Sequence, residues 1–358
     1  MLEVSVINEN TTGLFAPQQG RKLRYSEAQK EAITYSMRQD EKVFIMGEDI
    51  VGAAGRSDLG FSDAWGPPSR STQGLFTEFG ELRVLDTPIS EAAFIGAAIG
   101  SAAVGMRPIV ELMFIDFVGV CMDQLLNNAS KIKYMLGGQV DIPLTVITRM
   151  GAGIGWGAQH SESIYSLLVH LPGIKVLAPS DAYTAKGLLQ SAINDNDPVI
   201  FCDHKKLLNV SSVVPEEPYE LPIGKARVMR KGYDITLVGI SYMTSVCMEA
   251  ANILESQGID VEVVDLLSLS PIDDSTILES VRKTGALIVV DEDNPRCGMA
   301  SDIISMVAEK GFKDLKAAPR MVTAPHTPVP YSQALESLYV PDANRVVSVA
   351  KKVMEKKI

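Results

Sequence analysis

Short runs of consecutive apolar residues alternate along the chain with stretches of helical hydrophobic spacing. The apolar runs predict buried strands, at 43–46, 108–113, 143–148, 176–177 and 198–202. Helices are predicted over 88–105, 117–135 and 181–193, and from about Ser26, where Gln29 completes a capping box. Buried strands that alternate with helices predict an α/β fold with a mostly parallel sheet.

The alternation stops at 203–222, which is rich in Pro and Glu and is predicted to be a linker. It then starts again, with strands predicted over 235–240, 261–267 and 286–290 and helices over 244–256 and 275–282. The sequence therefore predicts two parallel-sheet α/β domains, 22–202 and 223–358. Residues 1–21 hold few large apolar side chains and are predicted to form a flexible arm. Residues 51–74, rich in Gly, Ser, Pro and Asp, are predicted to be a long functional or disordered loop.

Composition agrees with this organisation. The chain has 358 residues, of which 46% are hydrophobic, and this is enough for two cores. Its net charge of -11 argues against a nucleic acid or an anionic membrane as partner, because both are polyanions. The most apolar run, 92–106, has about 15 residues, whereas a bilayer span needs about 20, so we predict a buried core helix there.

The chain has four widely separated cysteines: Cys121, Cys202, Cys247 and Cys297. No CxxC pair is present, so the usual metal-ligand spacing of cysteine is absent. We predict buried, reduced thiols and a cytoplasmic protein. Glu3 and Glu9, with no arginine before Arg21, argue against a mitochondrial presequence.

Glu91 follows Thr87-Pro88 at the start of the predicted Ala- and Gly-rich helix. The helix dipole favours an acid in the first turn by about 0.3–1 kcal/mol, so a structural role alone can explain this residue. Gly96 and Gly100 follow at a spacing that lets a second helix approach closely. Glu91 is therefore either a structural acid or an acid held at a tightly packed helix interface. The same spacing argues against a standalone binding protein.

His160 follows a loop that contains four glycines after a predicted strand: Gly151, Gly153, Gly155 and Gly157. The chain has only four histidines, so this one is a candidate for a functional role, and the alternative is a structural loop with an incidental histidine. A dinucleotide-binding loop must open a helix. Residues 154–157 lack the pattern of a helix start, so we reject that interpretation.

Phe114 and Phe117 flank a dipeptide just after a predicted strand, where aromatic residues usually pack in the core. The other histidines, His170, His204 and His326, form no cluster of metal ligands in the sequence. The chain also has neither a GxSxG nucleophile elbow nor a P-loop.

Taken together, several segments resemble the beta subunits of the thiamine diphosphate-dependent components of 2-oxo acid dehydrogenase complexes. The segments are MGEDI (46–50), RVLDTPISEAAFIGAAIG (83–100), GMRPIVELMFIDF (105–117), DQLLNNASKIKYMLGG (123–138), AQHSES (158–163), PGIKVLAPSDAYTAKGLLQSAI (172–193), DNDPVIF (195–201) and VTAPHTPVPYSQALE (322–336). The resemblance covers roughly residues 22–358. It implies a transketolase-like pyrimidine-binding domain followed by a transketolase C-terminal-like domain. ELMFIDF, KYMLGG, MGAG and TAPHTPVP look most like acetoin dehydrogenase beta subunits.

The resemblance implies roles for three residues. Glu91 matches the glutamate that hydrogen-bonds N1′ of the cofactor's aminopyrimidine, Phe117 an aromatic residue that packs on that ring, and His160 a histidine near the substrate. The implied enzyme is a thiamine diphosphate-dependent oxidoreductase that cleaves acetoin and passes the two-carbon unit to lipoamide on an acyltransferase. A pyruvate or branched-chain 2-oxo acid dehydrogenase is the alternative. An alternative of another class is a non-catalytic assembly paralogue, against which intact Glu91 and His160 argue.

Members of the family also bind a potassium ion. By resemblance, its carbonyl and side-chain ligands would be Leu144, Ala192, Ile193, Asp195 and Asp197. Position 197 is often Asn in such proteins, so this sequence departs from the pattern there.

The GDG signature of thiamine diphosphate enzymes, which holds Mg²⁺ and the diphosphate, does not occur in the chain. Mg²⁺ needs hard oxygen ligands in near-octahedral geometry together with phosphate oxygens. In the family this half of the site belongs to the alpha subunit. The resemblance therefore implies an alpha partner, an α2β2 heterotetramer and a chain that is inactive by itself.

Beta subunits that resemble this chain dock the acyltransferase through a carboxylate in an L-D-A-P-like stretch. Here residues 315–319 read LKAAP, with Lys316 at the position of the acid. Because a lysine repels a basic docking domain, we predict weak or altered docking, or an acidic partner.

Overall fold

The computed structural model describes the backbone of residues 5–6, residue 17, and residues 19–51 and 70–357. Most of the predicted N-terminal arm, and residues 52–69 of the predicted long loop, lie outside the described residues. Among the described residues, no helix is long and apolar enough to cross a membrane.

The strands and helices alternate through most of the chain, as predicted. The strands are β1 (Ser5–Val6), β2 (Lys22–Arg24), β3 (Val43–Gly47), β4 (Val84–Asp86), β5 (Arg107–Phe114), β6 (Thr145–Met150), β7 (Lys175–Leu177), β8 (Val199–His204), β9 (Ser211–Val213), β10 (Tyr219–Glu220), β11 (Arg227–Arg230), β12 (Ile235–Gly239), β13 (Val261–Asp265), β14 (Ser268–Ser270), β15 (Leu287–Asp291) and β16 (Arg320–Thr323). The α-helices are α1 (Tyr25–Gln39), α2 (Leu75–Phe79), α3 (Glu91–Ala103), α4 (Ile132–Met135), α5 (Tyr165–Val169), α6 (Ala182–Asn194), α7 (Tyr242–Glu255), α8 (Asp274–Thr284), α9 (Met299–Lys310), α10 (Gln333–Tyr339) and α11 (Ala343–Met354).

Two sheets organise the molecule. The first has strand order β14-β7-β8-β6-β5-β3-β4, and its pairs are parallel except β14–β7. The second has order β11-β13-β12-β15-β16 and is parallel except at β11. The α/β fold with mostly parallel sheets is thus confirmed.

Alternate residues of the central strands face opposite helical layers. Ile109 and Ile147 pack in one core cluster with α1 and α6, whereas Val110 and Val146 pack in the cluster that contains α3. Because successive side chains of a strand point to opposite faces, strands covered on both sides need apolar residues at every position. This explains why the runs in the sequence are continuous rather than alternating. Each such buried side chain contributes about 1.5–3 kcal/mol.

The two halves of the chain interlock. Strand β14, from the second half, joins the edge of the first sheet, and β8 continues through His204, beyond the predicted boundary at 202. Arg227 of β11 is buried and donates to Asp265 in β13 and to Asp181 at the start of α6, at 2.9 and 2.7 Å. Removing one partner of such a buried ion pair costs about 3–5 kcal/mol, so these contacts hold the halves in a defined arrangement.

One predicted helix start is confirmed within a residue, and one is wrong by about three residues. α1 begins at Tyr25, near the predicted Ser26, but the predicted capping box of Ser26 and Gln29 is absent. Glu27 instead accepts from the backbone N–H of Arg24 at 2.9 Å, and the buried Gln29 side chain donates to Asp203 at 2.7 Å. α3 begins at Glu91 rather than at Thr87-Pro88. Thr87 donates its backbone N–H to Gly47 at 3.0 Å, which prolongs the pairing of β3 and β4 and keeps the chain extended.

The predicted helix over 117–135 is broken into three pieces. A 3₁₀ turn covers Ile115–Gly119, a π-helical turn covers Gln124–Ala129, and α4 follows. Ser130 donates its N–H to Leu125, five residues back, and its hydroxyl to Leu126. A serine hydroxyl that competes for backbone carbonyls disturbs regular helix, and π-helical turns are frequent near functional sites.

The cysteine prediction is partly wrong. Cys121, Cys202 and Cys247 are buried free thiols as expected, whereas the free thiol of Cys297 is exposed. It lies in the irregular segment between β15 and α9, where no strand or helix packs its side chain into a core.

Candidate active site

The residues predicted to carry chemistry meet at one edge of the first sheet. Glu91 follows β4, Phe117 follows β5 and His160 follows β6, each beyond the carboxyl end of its strand. These strands lie side by side in the order β6-β5-β3-β4. In open α/β sheets, ligands bind at the carboxyl ends of the strands, so the topology places all three residues where a ligand is expected.

Glu91 shares a buried environment with a second carboxyl group. Glu91, the first residue of α3, and Glu48, directly after β3, are each 7% exposed. Burial and then the neighbouring Glu91 charge raise the pKa of Glu48. The Oε1 atom of Glu48 is buried and has no hydrogen-bond partner among the described residues. Glu48 therefore binds a proton more readily than an exposed glutamate, and its buried oxygen is available to a ligand.

Cys121 connects this pair with the aromatic part of the site. Burial and then the Glu91 charge raise the pKa of the Cys121 thiol to about 12, so it stays a neutral thiol near Glu91. Its Sγ lies 3.6 Å from the carbonyl oxygen of Val118, the residue after Phe117. Cys121 therefore lies close both to Glu91 and to the turn that carries Phe117.

Phe117 and His160 belong to a cluster of edge-to-face rings. The His160 ring lies 5.6 Å from that of Phe117 and 5.1 Å from that of Phe114, and Trp156 packs on Phe114 at 5.3 Å. Such pairs contribute about 0.5–1.5 kcal/mol beyond their buried area. The cluster orients the imidazole and supplies an aromatic surface beside Glu91.

The loop before His160 has a backbone that requires glycine. Its four glycines have positive φ: 96° at Gly151, 97° at Gly153, 76° at Gly155 and 74° at Gly157. A side chain at Gly151 would also place its Cβ 2.1 Å from Nε2 of His204. The loop opens no helix, which agrees with the rejection of a dinucleotide-binding loop.

Carboxylates from distant parts of the chain hold this loop in place. Glu336 of α10 accepts hydrogen bonds from the N–H groups of Gly153 and Gly155 at 2.7 and 2.8 Å. Glu292, after β15, accepts one from Ala152 at 2.5 Å and pairs with His204 at 2.7 Å. The second sheet and its helices therefore fix the shape of a loop that belongs to the first.

Sequence reasoning missed Glu48, Glu292, Glu336 and Lys205. A carboxylate directly after a buried strand was a usable signal for Glu48 and Glu292. Glu336 contacts the loop across a sequence separation of 183 residues, and no local pattern predicts such a contact. Lys205 lies in a segment predicted to be a linker, so its burial was not predicted.

The residues predicted to bind potassium lie at the opposite, amino end of the strands. Leu144 precedes β6, Ala192 and Ile193 end α6, and the two aspartates precede β8. The carboxylate of Asp195 pairs with Lys175 at 2.6 Å, and that of Asp197 pairs with Lys133 at 2.7 Å.

The predicted carbonyl ligands also have partners, because Leu144 accepts from Val199 at 2.8 Å and Ile193 accepts from Arg107 at 3.1 Å. Two lysines and an arginine therefore supply positive charge here already. The potassium site stays a prediction, and no step of the proposed reaction depends on the ion.

The site fits the pyrimidine half of thiamine diphosphate better than the diphosphate half. A buried carboxyl pair, with an oxygen that no described residue contacts by a hydrogen bond, lies near aromatic rings and suits a flat heterocycle that carries ring nitrogens. Within the described part of the chain, no three His, Cys, Asp or Glu side chains form a set of metal ligands. The GDG signature that holds Mg²⁺ and the diphosphate in the family does not occur in the sequence either.

Comparisons with known proteins agree with this geometry. A model of the transketolase pyrimidine-binding domain matches residues 21–211, and one of the transketolase C-terminal domain matches 224–346. A solved split-gene transketolase, described as an inactive beta4 tetramer, has a TM-score of 0.73 and 25% identity, and the match covers 94% of this chain and 100% of that one. Transketolase from Campylobacter jejuni has a TM-score of 0.68 at 18% identity, over 96% of this chain and 49% of that one, which shows the fold alone.

Curated relatives are more similar. The beta subunit of acetoin:2,6-dichlorophenolindophenol oxidoreductase from Cupriavidus necator is 50% identical over 94% of this chain and 98% of the relative. The Bacillus subtilis protein of that name is 48% identical over 92% and 96%. Pyruvate dehydrogenase E1 component subunit beta from Rhizobium meliloti is 40% identical over 92% and 69%. The chain therefore belongs to the transketolase-like family of dehydrogenase beta subunits that includes these acetoin and pyruvate enzymes.

Proposed function

We propose that the chain is the beta subunit of a thiamine diphosphate-dependent acetoin dehydrogenase and forms the pyrimidine side of its active site. The observation that carries this proposal is that buried Glu91 and half-buried Phe117 and His160 lie at the carboxyl edge of one sheet. A non-catalytic assembly subunit has no need for a buried carboxyl pair with an unpartnered oxygen beside an aromatic cluster.

When bound, thiamine diphosphate supplies a nucleophilic carbon and an electron sink for carbon–carbon cleavage. In the proposal, the Glu91 carboxyl holds a proton at N1′ of the aminopyrimidine, and the neighbouring Glu48 keeps the local charge low. Phe117 packs against the ring and excludes water. In the proposal, the chain thus provides acid–base chemistry at the pyrimidine ring rather than the contacts that hold the diphosphate.

His160 acts on the substrate side. Its imidazole is only partly buried, and its backbone follows a rigid Gly-rich loop. In the proposal, it moves a proton to or from the substrate oxygen as the two-carbon unit is cleaved and passed on. Histidine suits this step because its ordinary pKa lies near physiological pH.

Acetoin is the proposed substrate because the two acetoin relatives are 50% and 48% identical, against 40% for the Rhizobium meliloti pyruvate dehydrogenase subunit. The test is to reconstitute the chain with an alpha subunit, thiamine diphosphate and Mg²⁺, and to measure dichlorophenolindophenol reduction with acetoin, pyruvate and branched-chain 2-oxo acids. We expect acetoin to have the highest kcat/KM. A preference for pyruvate would favour the second candidate function, a pyruvate dehydrogenase beta subunit, and no activity with any of them would support an assembly role.

The proposal includes an alpha subunit, in an α2β2 heterotetramer, that binds Mg²⁺ and the diphosphate. The exposed face of α3 supports such a partner, because Gly100 is exposed and a Cβ there would meet no described atom within 4 Å. The proposal also places the protein in the cytoplasm, and the three buried free thiols support this location.

The acyltransferase partner is proposed to dock near Lys316, at a surface that prefers an acidic docking domain to a basic one. Lys316 is exposed, and a neighbouring cleft of about 420 Å³ is rimmed by Arg320, Lys352 and Lys356, with one acid, Glu355. This surface repels a basic docking domain and attracts an acidic one. Lys316→Asp should strengthen binding of a basic docking domain in surface plasmon resonance, whereas the exposed Lys225→Asp should not. Tight, salt-sensitive binding of a basic domain to the unchanged chain would contradict the proposal.

A further inference from the structure

Lys205 lies next to the candidate active-site histidine, His160. It follows β8 directly and is 5% exposed. Its Nζ donates a hydrogen bond to the backbone carbonyl of His160 and lies over the rings of Phe114 and Trp156, at 5.3 and 5.2 Å. The ammonium group thus contacts the backbone of His160 and two of the rings of the cluster that orients its imidazole.

Three carboxylates face Lys205 from three different elements. Asp116 follows β5, Glu292 follows β15 and Glu336 lies in α10, and each favours the charged form of the lysine. Each also accepts backbone hydrogen bonds from the segment 152–162: Asp116 from residues 161 and 162, Glu292 from 152, and Glu336 from 153 and 155. Glu292 also pairs with His204 at 2.7 Å and lies near the charge of Lys206. The Lys205 ammonium group therefore lies among the three carboxylates that hold this loop and offsets their negative charge.

Burial opposes a charge at this position. Burial lowers the pKa of Lys205 to about 8, and the three carboxylates only partly offset it. An apolar side chain of similar length would pack between the two rings without this desolvation cost. Packing alone therefore does not explain a lysine here, whereas a need to hold the His160 backbone does.

We propose that Lys205 is a positioning residue that fixes the backbone and ring orientation of His160 through its hydrogen bond to the His160 carbonyl and its contacts with Phe114 and Trp156. The effect on turnover rests on the proposed function of His160. Lys205 itself contacts neither cofactor nor substrate in this role. A displacement of about 1 Å of a catalytic group can cost about 10²-fold in rate, so loss of the contact should be visible in turnover.

The test uses Lys205→Met and Lys205→Arg in the reconstituted complex, with exposed Lys225→Met as the matched control. The first readout is the rate at which diethyl pyrocarbonate modifies His160, measured by mass spectrometry, with exposed His170 and His326 as internal references. We expect Lys205→Met to raise this rate several-fold without changing the references. This readout requires no turnover, so it decides on the positioning contact even if acetoin is not the substrate. An unchanged His160 rate in Lys205→Met overturns the proposal.

The second readout is turnover beside deuterium exchange at C2 of the cofactor. Lys205→Met should lower turnover about 10²-fold while C2 exchange stays near the wild-type rate, because Glu91 is untouched. Turnover of the wild-type complex should fall above about pH 8 as Lys205 loses its charge, and Lys205→Arg, which stays charged, should recover activity and lose this alkaline decline. If Lys205→Met turns over like Lys225→Met, the proposal is wrong, whereas a wild-type complex inactive on acetoin rejects only the proposed substrate.

Discussion

Glu91 occupies a position that two different physical effects favour. As the first residue of α3 it gains from the helix dipole, and as a buried carboxyl beside Glu48 it is placed for acid–base chemistry. The dipole needs no burial, since an exposed acid gains as well. The burial of Glu91 to 7% exposure therefore favours the second role, and the two roles predict different consequences of the same substitution.

Glu91→Gln should slow C2 exchange and turnover about 10²–10⁴-fold while the complex still assembles, because the amide keeps the shape but loses the ionisable carboxyl group. This corresponds to about 3–5 kcal/mol of barrier. Asp302→Asn is the matched control, since Asp302 is an exposed acid in the first turn of α9. If Glu91 were only a dipole acid, the variant would lose about 0.3–1 kcal/mol of stability and keep its turnover. Exchange kinetics and thermal melting of the reconstituted complex distinguish these results.

His160→Ala should separate two steps of the reaction. We expect turnover to fall about 10²–10⁴-fold, because the proton transfer at the substrate is lost, while C2 exchange stays fast. The control is His170→Ala, which removes an exposed histidine at the end of α5. A parallel collapse of C2 exchange would mean that His160 acts on the cofactor instead.

At the scale of the elements, the Gly-rich loop depends on groups that lie outside it. Its positive φ values are a local property that the glycines permit, whereas its path is set by Glu292 and Glu336 of the second half of the chain. The conformation of the loop therefore depends on correct packing between the two halves of the chain. A substitution far from His160 in sequence can thus change the reaction by altering this loop.

Glu336→Gln should loosen this loop. The amide places an N–H donor against the N–H of Gly153 or Gly155, so one buried donor loses its acceptor, at a cost of about 1–3 kcal/mol. We expect faster hydrogen exchange at residues 152–157 and lower turnover, with C2 exchange of the cofactor retained. Glu309→Gln, at an exposed position of α9, serves as control. Protection of the loop equal to that of the control would show that Glu336 does not hold it.

At the scale of the whole molecule, the chain is proposed to present half of a site. The candidate residues lie at the sheet edge, and the GDG signature that would hold Mg²⁺ and the diphosphate does not occur in the sequence. In the proposal, the energy of binding the cofactor therefore comes largely from the alpha subunit. This makes binding by the isolated chain a direct measure of how much the chain contributes.

The isolated chain should bind thiamine diphosphate and Mg²⁺ too weakly to detect at micromolar concentration in isothermal titration calorimetry. Adding the alpha subunit should produce binding, and replacing wild type by Glu91→Gln in that mixture should weaken it only modestly, because the diphosphate contacts are unaffected. Micromolar binding by the chain alone would contradict this prediction and would require a diphosphate site within the chain.

Much of the fold follows from local patterns. The buried runs specify β3, β5, β6, β8, β12 and β15 within a residue or two, because continuous apolar segments bounded by polar residues have few alternatives to a buried strand. The helix over 181–193 is confirmed within one residue, since Asp181 caps it through the N–H of Thr184 at 2.7 Å. Where side chains are drawn into long-range contacts, as Gln29 is by Asp203, the local prediction is wrong.

The sequence by itself determined the class of fold, the family, and three candidate residues, because these depend on local periodicity and on motifs read in order. Only the tertiary structure decided that Glu91, Phe117 and His160 share one sheet edge and that Glu48 joins them. It also decided that Lys205, in a segment predicted to be linker, is a buried charge beneath His160. The reason is physical: strand order depends on pairings between distant segments, such as Val43 with Arg107, and the loop carboxylates act across more than a hundred residues, which no local spacing encodes.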